Sequence, residues 1–215
     1  MKVKPVFIII LAAALAPLMM IGASLAWLAA KTNTAENRFT LAGPDGLTGE
    51  IVERFNPDDA KNTRPGQDVT KVVQVKNTSP GGMSEWVAVK VTFLKGDGST
   101  AAPADMDTLN RVMSLSFGSE DQVYNDAVWV RKNTGPLQSA EVFYCSRQLA
   151  AGSTSDPLFD AVKILGSADN ALLQTVNNDW GGFDIRVAGA ALQGSFSDSF
   201  NYAVQTELDG TIDRI

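Results

Sequence analysis

Glu85-Trp86-Val87-Ala88-Val89-Lys90-Val91-Thr92-Phe93-Leu94 is the stretch that sets the fold class. Val87, Val89, Val91 and Phe93 recur at every second position, the period of an extended strand with one buried face. Valines and an aromatic at those positions suit a pleated surface packed on a core. Upstream, Val69 to Lys76 alternates as well. Val69, Lys71, Val73 and Val75 share one face; Thr70, Val72, Gln74 and Lys76 form the wetter one. Asn77-Thr78-Ser79-Pro80-Gly81-Gly82 separates the two runs with turn-forming residues. The expectation is an antiparallel pair joined by that loop.

Working outward, the same pattern returns in short pieces. Asn37 to Ala42, with Phe39 and Leu41 on one face, and Leu47 to Phe55 flank the turn Gly43-Pro44-Asp45-Gly46. Met113, Leu115 and Phe117 alternate. Ala127 to Lys132 places Val128 and Val130 on one side and Trp129 on the other. Ala140 to Arg147, Leu158 to Leu165, and a run through Phe183, Ile185, Val187 and Gly189 to Gln193 complete the set. Helical spacing is confined to Asp105 to Asn110, Ser167 to Val176, and the four-residue steps Phe196, Phe200, Val204 and Leu208, with Ser197 suited to cap the last. Many short strands between Gly, Pro and Asn turns predict an all-β, jelly-roll-like two-sheet β-sandwich with a few short peripheral helices. That domain spans 43–215 and follows an N-terminal signal helix.

The leader is read from charge and hydropathy. Lys2 and Lys4 precede an uncharged segment that runs to Lys31, apolar from Val6 to Leu15 and broken at Pro17 and Gly22. This is the layout of a secretory signal, over 1–26. Ser24-Leu25-Ala26 offers small residues at alternate positions, so the cut falls after Ala26 and Trp27 becomes the first mature residue. Cuts after Ala29 or Ala30 also fit. An uncleaved anchor is the alternative, since ~20 apolar residues span a bilayer. Either way the domain works outside the cytoplasm, secreted or at the cell surface, with membrane contact only through an uncleaved signal.

Of the chain's 18 basic residues, the leader carries away Lys2 and Lys4, leaving 16 against 24 acidic ones, a net of −8. Such a surface repels phosphate backbones, so nucleic acid is not an expected partner. Histidine is absent. Ser-His-Asp and Cys-His catalysis and His-rich catalytic zinc sites are therefore excluded, while carboxylate-only chemistry is not. No cofactor, metal or catalytic residue is assigned, and the expectation is a protein that is not an enzyme. The single cysteine, Cys145, lies in a strand pattern beside Val142, Phe143 and Tyr144. It reads as a buried thiol, with an intermolecular disulfide as the alternative.

The remaining constellations favour plain readings. Asp97 alone in Lys95-Gly96-Asp97-Gly98-Ser99 is too few ligands for a calcium loop, so the segment is a turn. Asp58-Asp59 lies in a loop, where adjacent carboxylates point apart. Glu120, Asp121 and Asp126 flank Val123-Tyr124 on a solvent face. Trp86, Trp129 and Trp180 fit a core better than a sugar platform. Asn77-Thr78-Ser79 matches a glycosylation sequon, a pattern short enough to arise by chance.

Five blocks in order carry a resemblance. They are Thr34-Ala35-Glu36-Asn37-Arg38-Phe39-Thr40, Arg64-Pro65-Gly66-Gln67-Asp68-Val69-Thr70-Lys71, Val75-Lys76-Asn77-Thr78, Leu149-Ala150-Ala151-Gly152-Ser153-Thr154-Ser155-Asp156-Pro157-Leu158-Phe159-Asp160-Ala161-Val162, and Phe183-Asp184-Ile185-Arg186-Val187-Ala188-Gly189-Ala190-Ala191-Leu192-Gln193. Behind an export signal, this order resembles the TasA/camelysin family of Gram-positive bacteria, exported through a dedicated signal peptidase. The resemblance implies a jelly-roll domain and a secreted subunit of biofilm-matrix fibres, self-associating by addition of its N-terminal strand to a neighbour. Carried onto this chain, the donor segment lies within 27–42, starting at Trp27 and Leu28, with Phe39 and Leu41 as anchors. The alternative is that the segment is the domain's own first strand. Some family members have been described as metalloproteases; without histidine this chain offers no such site. A monomeric or membrane-tethered adhesin-like module is the competing function, and a carboxylate hydrolase a third.

Overall fold

The structure is a computed structural model that describes residues 37–41, 47–56, 60, 63–116 and 128–213. In chain order these form β1 (Asn37–Leu41), β2 (Leu47–Phe55), β3 (Asp68–Asn77), β4 (Glu85–Lys95), α1 (Pro103–Val112), β5 (Met113–Ser116), β6 (Trp129–Arg131), β7 (Ala140–Cys145), β8 (Phe159–Ile164), α2 (Asn170–Gln174), β9 (Phe183–Gln193) and α3 (Tyr202–Ile212). Two antiparallel sheets result, one ordered β1-β2-β3-β8-β5 and the other β6-β7-β4-β9. This is the expected all-β, jelly-roll-like two-sheet sandwich with few short helices. The signal helix, the cleavage residue Ala26, and Trp27 and Leu28 lie outside the described residues. Among the described residues no helix is long and apolar enough to cross a membrane.

Period-two alternation builds the core. Val87, Val89, Val91 and Phe93 of β4 are fully buried between the sheets, against Ile51, Val73 and Val75 from the facing sheet. Each such side chain contributes roughly 1.5–3 kcal/mol through burial. The other face of β4 is covered as well. Trp86 and Ala88 meet Val204, Leu208 and Ile212 of α3. Those three recur at four-residue steps, so one stripe of α3 seals the outside of this sheet.

The expected pairing of β3 with β4 does not form. β3 pairs with β2 and β8, whereas β4 pairs with β7 and β9. The connection at 79–82 carries the chain from one sheet to the other, with Gly81 and Gly82 at φ +71° and +74°. Alternation marks which face of a strand is buried, not which strand lies beside it. Within β3 the register with β8 shifts between Thr70 and Val73. The clean alternation expected there is interrupted, and Lys71, Val72 and Val73 are all buried. Lys71 is accommodated by Glu53 at 2.8 Å and by the ring of Phe55.

The helix ends follow from local chemistry. Pro103 starts α1, and the Asp105 carboxylate accepts the Ala102 N–H at 2.9 Å. Asp169 caps α2 through the Leu172 N–H. The cap of α3 is Asn201, which accepts the Val204 N–H at 3.1 Å, not Ser197. Ser197 sits one turn too early. Its hydroxyl accepts from the Asn201 amide at 2.9 Å and so orients the residue that does the capping.

At the far end of β4, the Gly96 N–H donates to the Gly182 carbonyl at 2.9 Å. A Cβ on residue 96 would lie 2.1 Å from the Gly181 carbonyl oxygen. Backbone cannot swing aside as a side chain can. Gly96→Ala is expected to lose about 1–3 kcal/mol in urea unfolding; an unchanged midpoint would show that the two turns can part freely.

Candidate subunit-interaction edge

β1 is the outermost strand of its sheet and, among the described residues, pairs only with β2. Asn37 lies opposite Ile51, Phe39 opposite Gly49, and Leu41 opposite Leu47. The two expected anchors therefore occupy alternate positions of an edge strand, within their own chain. Without β1, β2 would present a row of unpaired N–H and C=O groups, a template for another strand.

The start of β2, at the turn end of the β1–β2 hairpin, is fastened to the opposite sheet through buried polar groups. Thr48 of β2 donates its N–H to the Ser79 hydroxyl at 2.9 Å, and its carbonyl accepts from the Thr78 N–H at 2.9 Å. The same carbonyl lies 3.2 Å from the Ser79 oxygen. Ser79 in turn lies 3.1 Å from Oε2 of Glu85, the first residue of β4. Glu85 is fully buried, and its Oε1 has no hydrogen-bond partner among the described residues. Burial pushes its carboxyl up to about 7 from an ordinary 4.5, against a smaller opposing pull from the Ser79 hydrogen bond.

Asn77 completes the cluster. Its amide donates to the carbonyls of Met83 and Leu149, each at 2.9 Å, and its Oδ1 accepts the Ser79 N–H at 2.8 Å. The residue is fully buried. The sequon at 77–79 is thus a structural asparagine whose amide hydrogens are already used. The segment 149–158 wraps around the same point: Glu85 and Leu149 exchange both backbone bonds, and the Gly152 N–H reaches the Asn77 carbonyl. Blocks far apart in the chain, Val75 to Thr78 and Leu149 to Val162, therefore meet here.

Sequence reasoning passed over Glu85. The signal was its parity, because it shares the alternating positions of Val87, Val89, Val91 and Phe93. A carboxylate on a core-facing position needs a proton or a partner. Ser79 was equally hidden, since a serine in a turn is ordinarily solvated.

Elsewhere the plain readings hold where the residues are described. Cys145 is a free, buried thiol, and burial pushes its pKa up. Trp86 and Trp129 are core residues, and Trp180 packs half-buried against the core. The Asp97 carboxylate accepts from the Ser99 hydroxyl and N–H, closing the expected turn; those bonds lower its pKa. Glu53, Glu141 and Asp156 are paired with Lys71, Arg131 and Arg147. Among the described residues no three acidic or sulfur ligands are grouped to hold a metal ion. Asp58, Asp59, Glu120, Asp121, Val123, Tyr124, Asp126 and Phe117 lie outside the described residues.

A surface cavity of about 390 Å³ opens between β6 and α3, lined by Arg131, Lys132, Tyr144, Tyr202, Gln205 and Asp209 among others. Asp209 holds both Lys132, at 2.9 Å, and the Tyr144 hydroxyl. Burial, then the bond to Asp209, raise the Tyr144 pKa. Tyr202 stands 82% exposed at its rim.

Comparison with family models, with curated proteins and with solved structures found no match to this chain.

Proposed function

We propose that this chain is a secreted structural subunit of extracellular or biofilm-matrix fibres, joined by exchange of its N-terminal strand between copies. The single observation that carries the reading is the position of β1: a short outermost strand bonded only to β2 among the described residues. The register that β1 makes with its own β2 is available, unchanged, to β1 of a neighbour. The order of the five blocks, resembling the TasA/camelysin family, supports the same reading. So does the export-type leader, which puts a signal peptidase on the route. In this proposal the role is structural rather than catalytic, and the net negative charge keeps monomers apart until strands engage.

The test removes 27–41 from the mature protein. Electron microscopy should find fibres with the intact protein and none with the truncated one, which should stay folded by circular dichroism. Fibres without the segment, or a truncated chain that unfolds, would overturn strand exchange and leave β1 as an intrinsic strand.

A second reading has its own observation. The cavity beside exposed Tyr202 suits a sugar ring, whose C–H face can stack on the tyrosine while its hydroxyls meet the polar lining, as expected of a monomeric adhesin-like module. Glycan binding lost in Tyr202→Ala, by a protein that stays monomeric, would favour it.

A further inference from the structure

Ser79 has one hydroxyl hydrogen and two acceptors within reach, the Thr48 carbonyl at 3.2 Å and Glu85 Oε2 at 3.1 Å. It also accepts the Thr48 N–H. All three contacts are satisfied together in one arrangement only. Glu85 must carry the proton and donate it to Ser79, which then donates its own hydrogen to Thr48. With Glu85 ionised, the serine hydrogen turns to the carboxylate, the stronger acceptor, and leaves the Thr48 carbonyl, so that one of the two Ser79–Thr48 bonds is lost while the Thr48 N–H still donates to Ser79. Among the described residues the buried charge then has only Ser79 to solvate it, since Oε1 has no partner there.

We propose that Glu85, Ser79 and Thr48 form a proton-operated latch on the β1–β2 hairpin, held by both Ser79–Thr48 bonds when Glu85 is protonated and weakened to one when it ionises. The latch links the first residue of β4 in one sheet to the second residue of β2 in the other. The consequence, which rests on the strand-exchange reading, is that β1 is freed for exchange more readily as pH rises.

Among the described residues the groups facing Glu85 are neutral: Asn77 at the end of β3, Ser79 from the β3–β4 connection, Thr48 from β2, the Leu149 backbone, and Gln193 opposite on β9. Glu50 and Lys76 are cross-strand partners on the outward face, at positions alternate to the buried Ile51 and Val75. Arg147 is engaged by Asp156. Among the described residues no neighbouring charge therefore competes for control of the latch, and burial places its operating range near pH 7.

Hydrogen–deuterium exchange by mass spectrometry on the full chain in mild detergent tests this between pH 5.5 and 8.5, with rates corrected for intrinsic exchange. Protection of Leu47–Phe55 should fall by about tenfold across that range, while Ala140–Cys145 stays level. In Glu85→Gln the hairpin should stay protected throughout. In Ser79→Ala it should be poorly protected even at pH 5.5. A pH-independent wild-type hairpin, or an identical fall in Glu85→Gln, overturns the latch. Fibre growth followed at the same pH values separates the two ideas. Faster growth above pH 7 is expected, and an absence of fibres alongside the exchange difference overturns the assembly reading alone.

Discussion

Trp129→Ala should remove about 3–5 kcal/mol of stability, the range for deleting a large buried aromatic. Trp129 belongs to a strand of only three residues, yet its side chain is fully buried in the main core beside Cys145 and Phe143. Its indole N–H also donates to the Asp156 carbonyl at 3.1 Å, which ties β6 to the segment leading into β8. The substitution leaves a cavity and strands that carbonyl. Chemical denaturation should show a midpoint shifted far down with a similar slope. A loss below about 1 kcal/mol would mean that the β6 edge packs independently of the core.

Glu85→Gln should act in the opposite direction at neutral pH. The folded protein holds the Glu85 proton up to about pH 7, whereas the unfolded chain releases it near 4.5. Between those values the folded state binds more protons, so stability falls as pH rises. The favourable contribution is complete below about 4.5, declines through the window, and is gone above about 7. The loss is on the order of 3 kcal/mol. Glutamine has no proton to lose and keeps a donor for Ser79. Its stability should therefore not fall through this window and should exceed that of the wild type at pH 8. Parallel wild-type and variant profiles in urea titrations from pH 4.5 to 8 would show that Glu85 does not carry this dependence.

Hydropathy period made most of the strands legible in advance. β2 was readable from Leu47 to Phe55 and β9 up to Gln193 from alternation in part of each strand and the turn-forming residues around them, although Gly189, Ala190 and Ala191 of β9 are buried in succession. The core face of β4 was readable for the same reason. The outer face of β4 was less so, because Trp86 and Ala88 are covered by a helix more than a hundred residues later. The cap of α3 was misplaced by one turn. Serine and asparagine are equally good caps, and only the path of the chain after Phe196 chooses between them.

The candidate edge was legible in part. Phe39 and Leu41 could be placed on a strand from their spacing, and β1 does lie at a sheet edge. Its fastening was not legible. Thr48, Ser79 and Glu85 are separated by 31 and 6 positions, with no motif between them. Their meeting depends on β3 and β4 entering different sheets, which local pattern cannot reveal.

Residue order alone settles that this chain builds two-faced strands and carries no histidine, because period, turn chemistry and composition are local properties. Which strands become neighbours, and that a carboxylate ends up sealed beside a single hydroxyl, are settled by the packing of the two sheets. The reason is physical: side-chain alternation selects a face, while pairing and desolvation depend on groups brought together from distant parts of the chain.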